Sequence, residues 1–201
     1  MNVRLHGPAP LLASFLAALA CFSCAATSVS TFATPEEATA AIVTAAEAGD
    51  KGEAIRIFDS FARSSVQRDR VYATLFEAAS ERYEEGRSAD AARILDFVTG
   101  KYPNAIAARE ALVYALFLER ADSGEASDAS MKAMRSAIEA VRSSTPTPSA
   151  WIDLAETQVA IDEGDLDAAR RTFGEFLGDW NGTPDSIVLY VEDIDRYLQS
   201  H

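Results

Sequence analysis

Histidine and cysteine are almost missing from this chain. Its histidines are His6 and His201, and its cysteines are Cys21 and Cys24. The long stretch between Cys24 and His201 contains neither. This excludes a Ser-His-Asp triad and histidine-based zinc sites. It also excludes thiol catalysis and thiolate metal sites. No internal disulfide can form there, so packing alone must hold the fold. Lysine is scarce as well: Lys51, Lys101 and Lys132, none of them at Ser-x-x-Lys spacing. There is no phosphate loop and no dinucleotide fingerprint. Asp162, Asp165 and Asp167 cluster around Gly164, but not in the order of a calcium loop. No carboxylate spacing marks the acid–base pair of a hydrolase. The sequence therefore assigns no catalytic residue, no metal and no cofactor, and the chain reads as a non-enzyme.

Positive charge is the lesser sign. The chain has 18 Lys and Arg against 31 Asp and Glu, a net charge of −13. Such a surface repels phosphate backbones, which argues against nucleic acid as a partner. Glycine and proline are few, at 10 and 7, and no segment has the composition of a long disordered tail. Hydrophobic residues make up 48%, enough to build a core.

One apolar run stands apart. Arg4 precedes an uncharged segment from Pro10 to Cys24 that contains Leu11, Leu12, Phe15, Leu16 and Leu19. This charged-then-apolar order is that of an export signal over residues 1–25. The run is too short for a permanent membrane helix, which needs about 20 apolar residues. Ala17-Ala18-Leu19-Ala20-Cys21 resembles a bacterial lipoprotein signal, with Cys21 as the lipidated residue. The common leucine three residues before the cysteine is absent. Ordinary cleavage after Ala20 or Ala25 is the rival. The expectation is an exported protein, periplasmic or lipid-anchored at the envelope, with a short linker over 26–33 and a folded domain over 34–201.

Within that domain a pattern recurs four times: glycine, four residues, alanine. The glycines are Gly49, Gly86, Gly124 and Gly164, spaced by 37, 38 and 40 residues, and the alanines are Ala54, Ala91, Ala129 and Ala169. Glycine ends a helix in the left-handed conformation. The alanine lets the next helix approach closely, and residues four and seven further on share its face. These are Phe58 and Phe61, Leu95 and Val98, then Ala133 and Ser136 in a degenerate third copy, and Phe173 and Phe176. Thr34-Pro35 and Thr147-Pro148 read as helix starts. Thr183-Pro184 opens a last helix to about Gln199, with Ile187, Tyr190, Val191, Ile194, Tyr197 and Leu198 on one side. No stretch alternates in the manner of a strand.

These units resemble the tetratricopeptide repeat family. The best runs from 72 to 105, with Leu75, Ala78, Ala79, Tyr83, Gly86, Ala91, Leu95, Val98 and Pro103 at signature positions. Trp151, Leu154, Ala155, Gly164, Ala169, Phe173 and Phe176 mark the fourth, which carries two extra residues in its first helix. The resemblance implies an all-α fold: a short right-handed solenoid of about four antiparallel helix pairs, closed by a C-terminal capping helix. It also implies a groove lined by the first helix of each pair, which binds a partner protein or peptide. Carried over by glycine register, the groove positions are Phe76, Ser80 and Tyr83, then Tyr114, Leu118 and Asp122, then Trp151, Gln158 and Asp162. About half of such positions are expected to be core between repeats, because large aromatics dominate burial. Aromatic and acidic residues together would suit a segment with basic and apolar side chains.

Two other readings are open. Phe32 to Phe58 is similar to the first helix of exported cone-shaped α+β domains, which bind small molecules or hydrolyse them. That fold needs a long curved sheet after the helix. Lys101-Tyr102-Pro103-Asn104, followed by Ala107, Ala108 and Ala111, is similar to turns in periplasmic envelope-assembly lipoproteins, which would specify the scaffold reading further.

Overall fold

The four repeat glycines are the points at which the chain turns. In the computed structural model Gly49, Gly86, Gly124 and Gly164 have φ of 74°, 73°, 69° and 76°, all left-handed. Three of them close the preceding helix in the same way. Gly49 N–H donates to Ala46 O at 2.9 Å and Asp50 N–H to Ala45 O at 2.8 Å. Gly86 and Arg87 repeat this on Tyr83 and Arg82, as do Gly164 and Asp165 on Ile161 and Ala160. This paired bonding satisfies the last helical carbonyls. Asp50 and Asp165 then cap the next helix, accepting from Glu53 N–H at 2.9 Å and Ala168 N–H at 3.0 Å. One residue thus ends one helix and starts another, which makes the turn tight.

The structure describes residues 32, 34–124, 126–182 and 187–201. They contain nine helices and no strand: α1 (Pro35–Glu47), α2 (Lys51–Phe61), α3 (Ser65–Glu84), α4 (Ser88–Lys101), α5 (Ile106–Ser123), α6 (Asp128–Arg142), α7 (Trp151–Glu163), α8 (Leu166–Asp179) and α9 (Val188–Ser200). The class is all-α, as the sequence predicts. The export-signal segment and Cys21 lie outside the described residues, as do Thr183 and Pro184. No helix among the described residues is long and apolar enough to cross a membrane.

Sequential neighbours pack on one another: α1 on α2, α3 on α4, α5 on α6, α7 on α8. Between these, α4 packs on α5 and α6 on α7, while α1 touches α3 and α5 touches α7. The second helices bury the residues that the spacing singles out: Ala54 and Phe58; Ala91, Leu95 and Val98; Ala169, Phe173 and Phe176. Phe61 is half-buried. A part-buried arginine–carboxylate pair ties α5 to α7: Arg120 Nε and Nη2 donate to Asp162 at 2.8 and 2.6 Å.

Two expectations shift. In the third unit Ala129, Ala133 and Ser136 are exposed, and Met134, Ala137, Ile138 and Val141 are buried instead. The cause is local. Ser127, not the residue after Gly124, caps α6 through a reciprocal Ser127–Ser130 arrangement. The turn is therefore longer, and the helix face lies elsewhere. Likewise α7 starts at Trp151 rather than at Pro148, with Ala150 as a cap lacking any side-chain bond. Ser149 N–H donates to Glu110 Oε1 of α5 at 3.0 Å, which ties the segment before α7 to α5.

Candidate functional site

Helices α3, α4 and α5 leave an apolar cavity of about 180 Å³ between them. Small side chains make the space: Ala79, Ala91, Ala111 and Ala115 line it where larger residues would close it. Four of the predicted groove residues form its wall and rim, namely Phe76, Ser80, Tyr83 and Tyr114. Tyr83 comes from the last turn of α3 and Tyr114 from the middle of α5. Their hydroxyls are 2.7 Å apart and their rings 5.3 Å. Trp151, the first residue of α7, lies 5.3 Å from Tyr114. Three predicted aromatics from three different helices therefore form one continuous row. Such rows carry large contact area with a polar handle at each tyrosine.

The remaining predicted residues have other places. Leu118 is buried in the core at 5% exposure. Asp162 is committed to Arg120, with side-chain exposures of 4% and 13%, and Gln158 Nε2 donates to the same carboxylate at 3.0 Å. Together these two side chains brace α5 against α7 rather than face the cavity. Ser80 is exposed at the rim, and its hydroxyl donates to Phe76 O at 3.0 Å. Asp122, near the end of α5, accepts from the Tyr190 hydroxyl of α9 at 2.6 Å. The Tyr190 ring also meets Phe117 of α5 edge-on at 5.9 Å. The hydrogen bond to Asp122 raises the Tyr190 phenol to about 12, with burial and the charge of Asp122 adding to it and Tyr83 contributing last. Sequence reasoning placed Tyr190 on an apolar helix face but had no signal for its reach to α5. Arg120 was missed altogether, because nothing local marks its partner 42 residues away.

A larger opening of about 410 Å³ lies between α4, α5 and α6. Its charged rim is internally paired in part, Lys51 with Asp96, and Arg93 with Asp90. Among the described residues no group of three or more His, Cys, Asp or Glu side chains is placed to hold a metal ion. Comparison with family models, with curated proteins and with solved structures gave no match.

Proposed function

We propose that residues 34–201 are a tetratricopeptide-like solenoid of four helix pairs, α1/α2 to α7/α8, which serves as a non-enzymatic protein-binding scaffold of the bacterial cell envelope. Four left-handed glycines at near-regular spacing support the repeat reading. So does the packing of α1 on α3 and α5 on α7, first helix against first helix. The export signal and Cys21 support the envelope, with Cys21 as a membrane tether where lipidated.

The observation that carries the binding reading is the cavity walled by Tyr83 and Tyr114, the aromatics from which the row continues to Trp151. At about 180 Å³ it is smaller than the roughly 300–1,000 Å³ of ligand and cofactor pockets. A cavity of about 150 Å³ holds a benzene-sized group, so this one suits a single large apolar side chain. The occupant is a partner segment that inserts one such anchor and sets basic residues against a chain of net charge −13.

The test is a photoreactive benzoylphenylalanine in place of Tyr114, irradiated in living cells. We expect a discrete adduct whose cross-linked peptide carries an apolar residue flanked by Lys or Arg. Ala111→Leu fills the cavity, so it should abolish the adduct while leaving the helical circular dichroism unchanged. Adducts that survive Ala111→Leu, or that form equally from a probe at the exposed Val66, would move the site elsewhere.

A further inference from the structure

The last helix is attached differently from the rest. α9 packs less closely on its neighbours than any other helix, and α8 is its main support. Its apolar side is Val191, Ile194 and Leu198, all buried, with Ile187 just before it. Arg170 of α8 donates to Leu198 O at 3.3 Å. Beyond α8, Tyr190 reaches to Phe117 and Asp122 of α5. Phe117 and Asp122 stand on the same helix as Ala111, Tyr114 and Ala115, which line the cavity. Ile187 caps α9 without any side-chain hydrogen bond. A helix of 13 residues has little stability of its own in water, so its helicity depends on this seat. Its outer face carries Glu192, Asp193 and Asp195 against one Arg196, all exposed. An acidic helix thus lies on an acidic protein.

We infer that α9 is a built-in occupant of the α5 face beside the cavity, and that the partner is an amphipathic helix of the same apolar pattern with basic outer residues, which displaces it. The pattern is a tyrosine followed by aliphatic residues one, four and eight positions later, as in Tyr190, Val191, Ile194 and Leu198. Basic residues in place of Glu192, Asp193 and Asp195 are favoured by the net charge of −13, which gives the partner its advantage over α9. α9 has the opposite advantage of being tethered, with an effective concentration in the millimolar range.

This inference rests on the reading of the cavity as a partner site, but its test uses no cellular partner. The probe is a synthetic peptide of residues 187–201 carrying Glu192→Lys, Asp193→Lys and Asp195→Lys, added to the chain from residue 26 to 201. Binding is followed by fluorescence and by amide hydrogen exchange. α9 amides should exchange faster than those of α5 and α7 in the free chain. The peptide should accelerate them further while α5 stays protected. Tyr190→Phe in the chain removes one hydrogen bond to a carboxylate, which should tighten peptide binding about tenfold or more. The unsubstituted peptide should bind more weakly than the lysine version. Peptide binding that leaves α9 protected would overturn the proposal, as would α9 amides that exchange only together with α5 and α7. Failure of the Tyr114 adduct with a positive peptide result would refute the cellular partner reading and leave the displaceable helix standing.

Discussion

Arg120 and Asp162 show what a single residue means only in its three-dimensional setting. By register Asp162 belongs to a groove; in the fold its side chain is 4% exposed and doubly bonded to a guanidinium. Removing one member of such a part-buried pair leaves the other charge without its partner, which costs about 1–3 kcal/mol. Asp162→Ala should therefore lower the stability of the domain by about that amount in urea titration. Arg120→Met combined with Asp162→Leu should recover much of the loss, because no unpaired charge remains. A double variant no better than Asp162→Ala would mean that the pair contributes through geometry rather than charge. Tyr83 and Tyr114 are the opposite case. Both are half-buried, so they pack against the core and still present a surface, as sequence spacing alone could not resolve.

At the scale of the element, glycine position decides the sign of a substitution. Gly86 has φ of 73° with open space where a Cβ would stand, so backbone conformation and not crowding is the obstacle. Gly86→Ala should cost about 1–2 kcal/mol. Gly174 lies inside α8, at ordinary φ and with the same open space. Gly174→Ala should stabilise by about 0.5–1 kcal/mol. Thermal melts of the two variants should shift in opposite directions, and shifts of the same sign would refute the turn assignment. The turns were legible because glycine chemistry is local: all four repeat glycines, the Thr34 cap and most of the buried faces of α2, α4 and α8 follow from spacing. The third unit was not, because the Ser127–Ser130 cap delays α6 and rotates its buried face onto Met134, Ile138 and Val141. The cavity was half legible. Register found the aromatic side chains, but it did not show that alanines from three helices would leave a space beneath them.

The whole molecule is acidic and, beyond Cys24, free of cysteine, so the attachment proposed at Cys21 and the stability of the domain rest on separate groups. If Cys21 is the lipidated residue, metabolic labelling with a palmitate analogue should mark the wild type and not Cys21→Ser. An unlabelled soluble protein starting near residue 26 would show ordinary cleavage instead. Stability at high pH depends on two phenols from distant parts of the domain. Tyr102 donates to Arg68 O at 2.6 Å and sets its ring edge-on against Phe58 at 5.8 Å. Burial is the main reason that its phenol is pushed up to about 12, with Asp69 and Tyr72 adding to the effect and Arg68 opposing it. Tyr190 is raised to about 12 chiefly by its bond to Asp122. In the unfolded chain a tyrosine ionises near 10, so over this interval the unfolded state holds fewer protons than the folded one. Stability then falls as pH rises. The contribution of both groups is fully present below about pH 10 and is lost on approaching about pH 12. The urea midpoint of the domain should stay level up to the lower limit and drop above it. Tyr102→Phe should start lower, having lost a hydrogen bond, yet fall less steeply across the interval. A slope identical to the wild type would mean that Tyr102 ionises in the folded protein as easily as in the unfolded one, and that its contact with Arg68 O does not hold the proton.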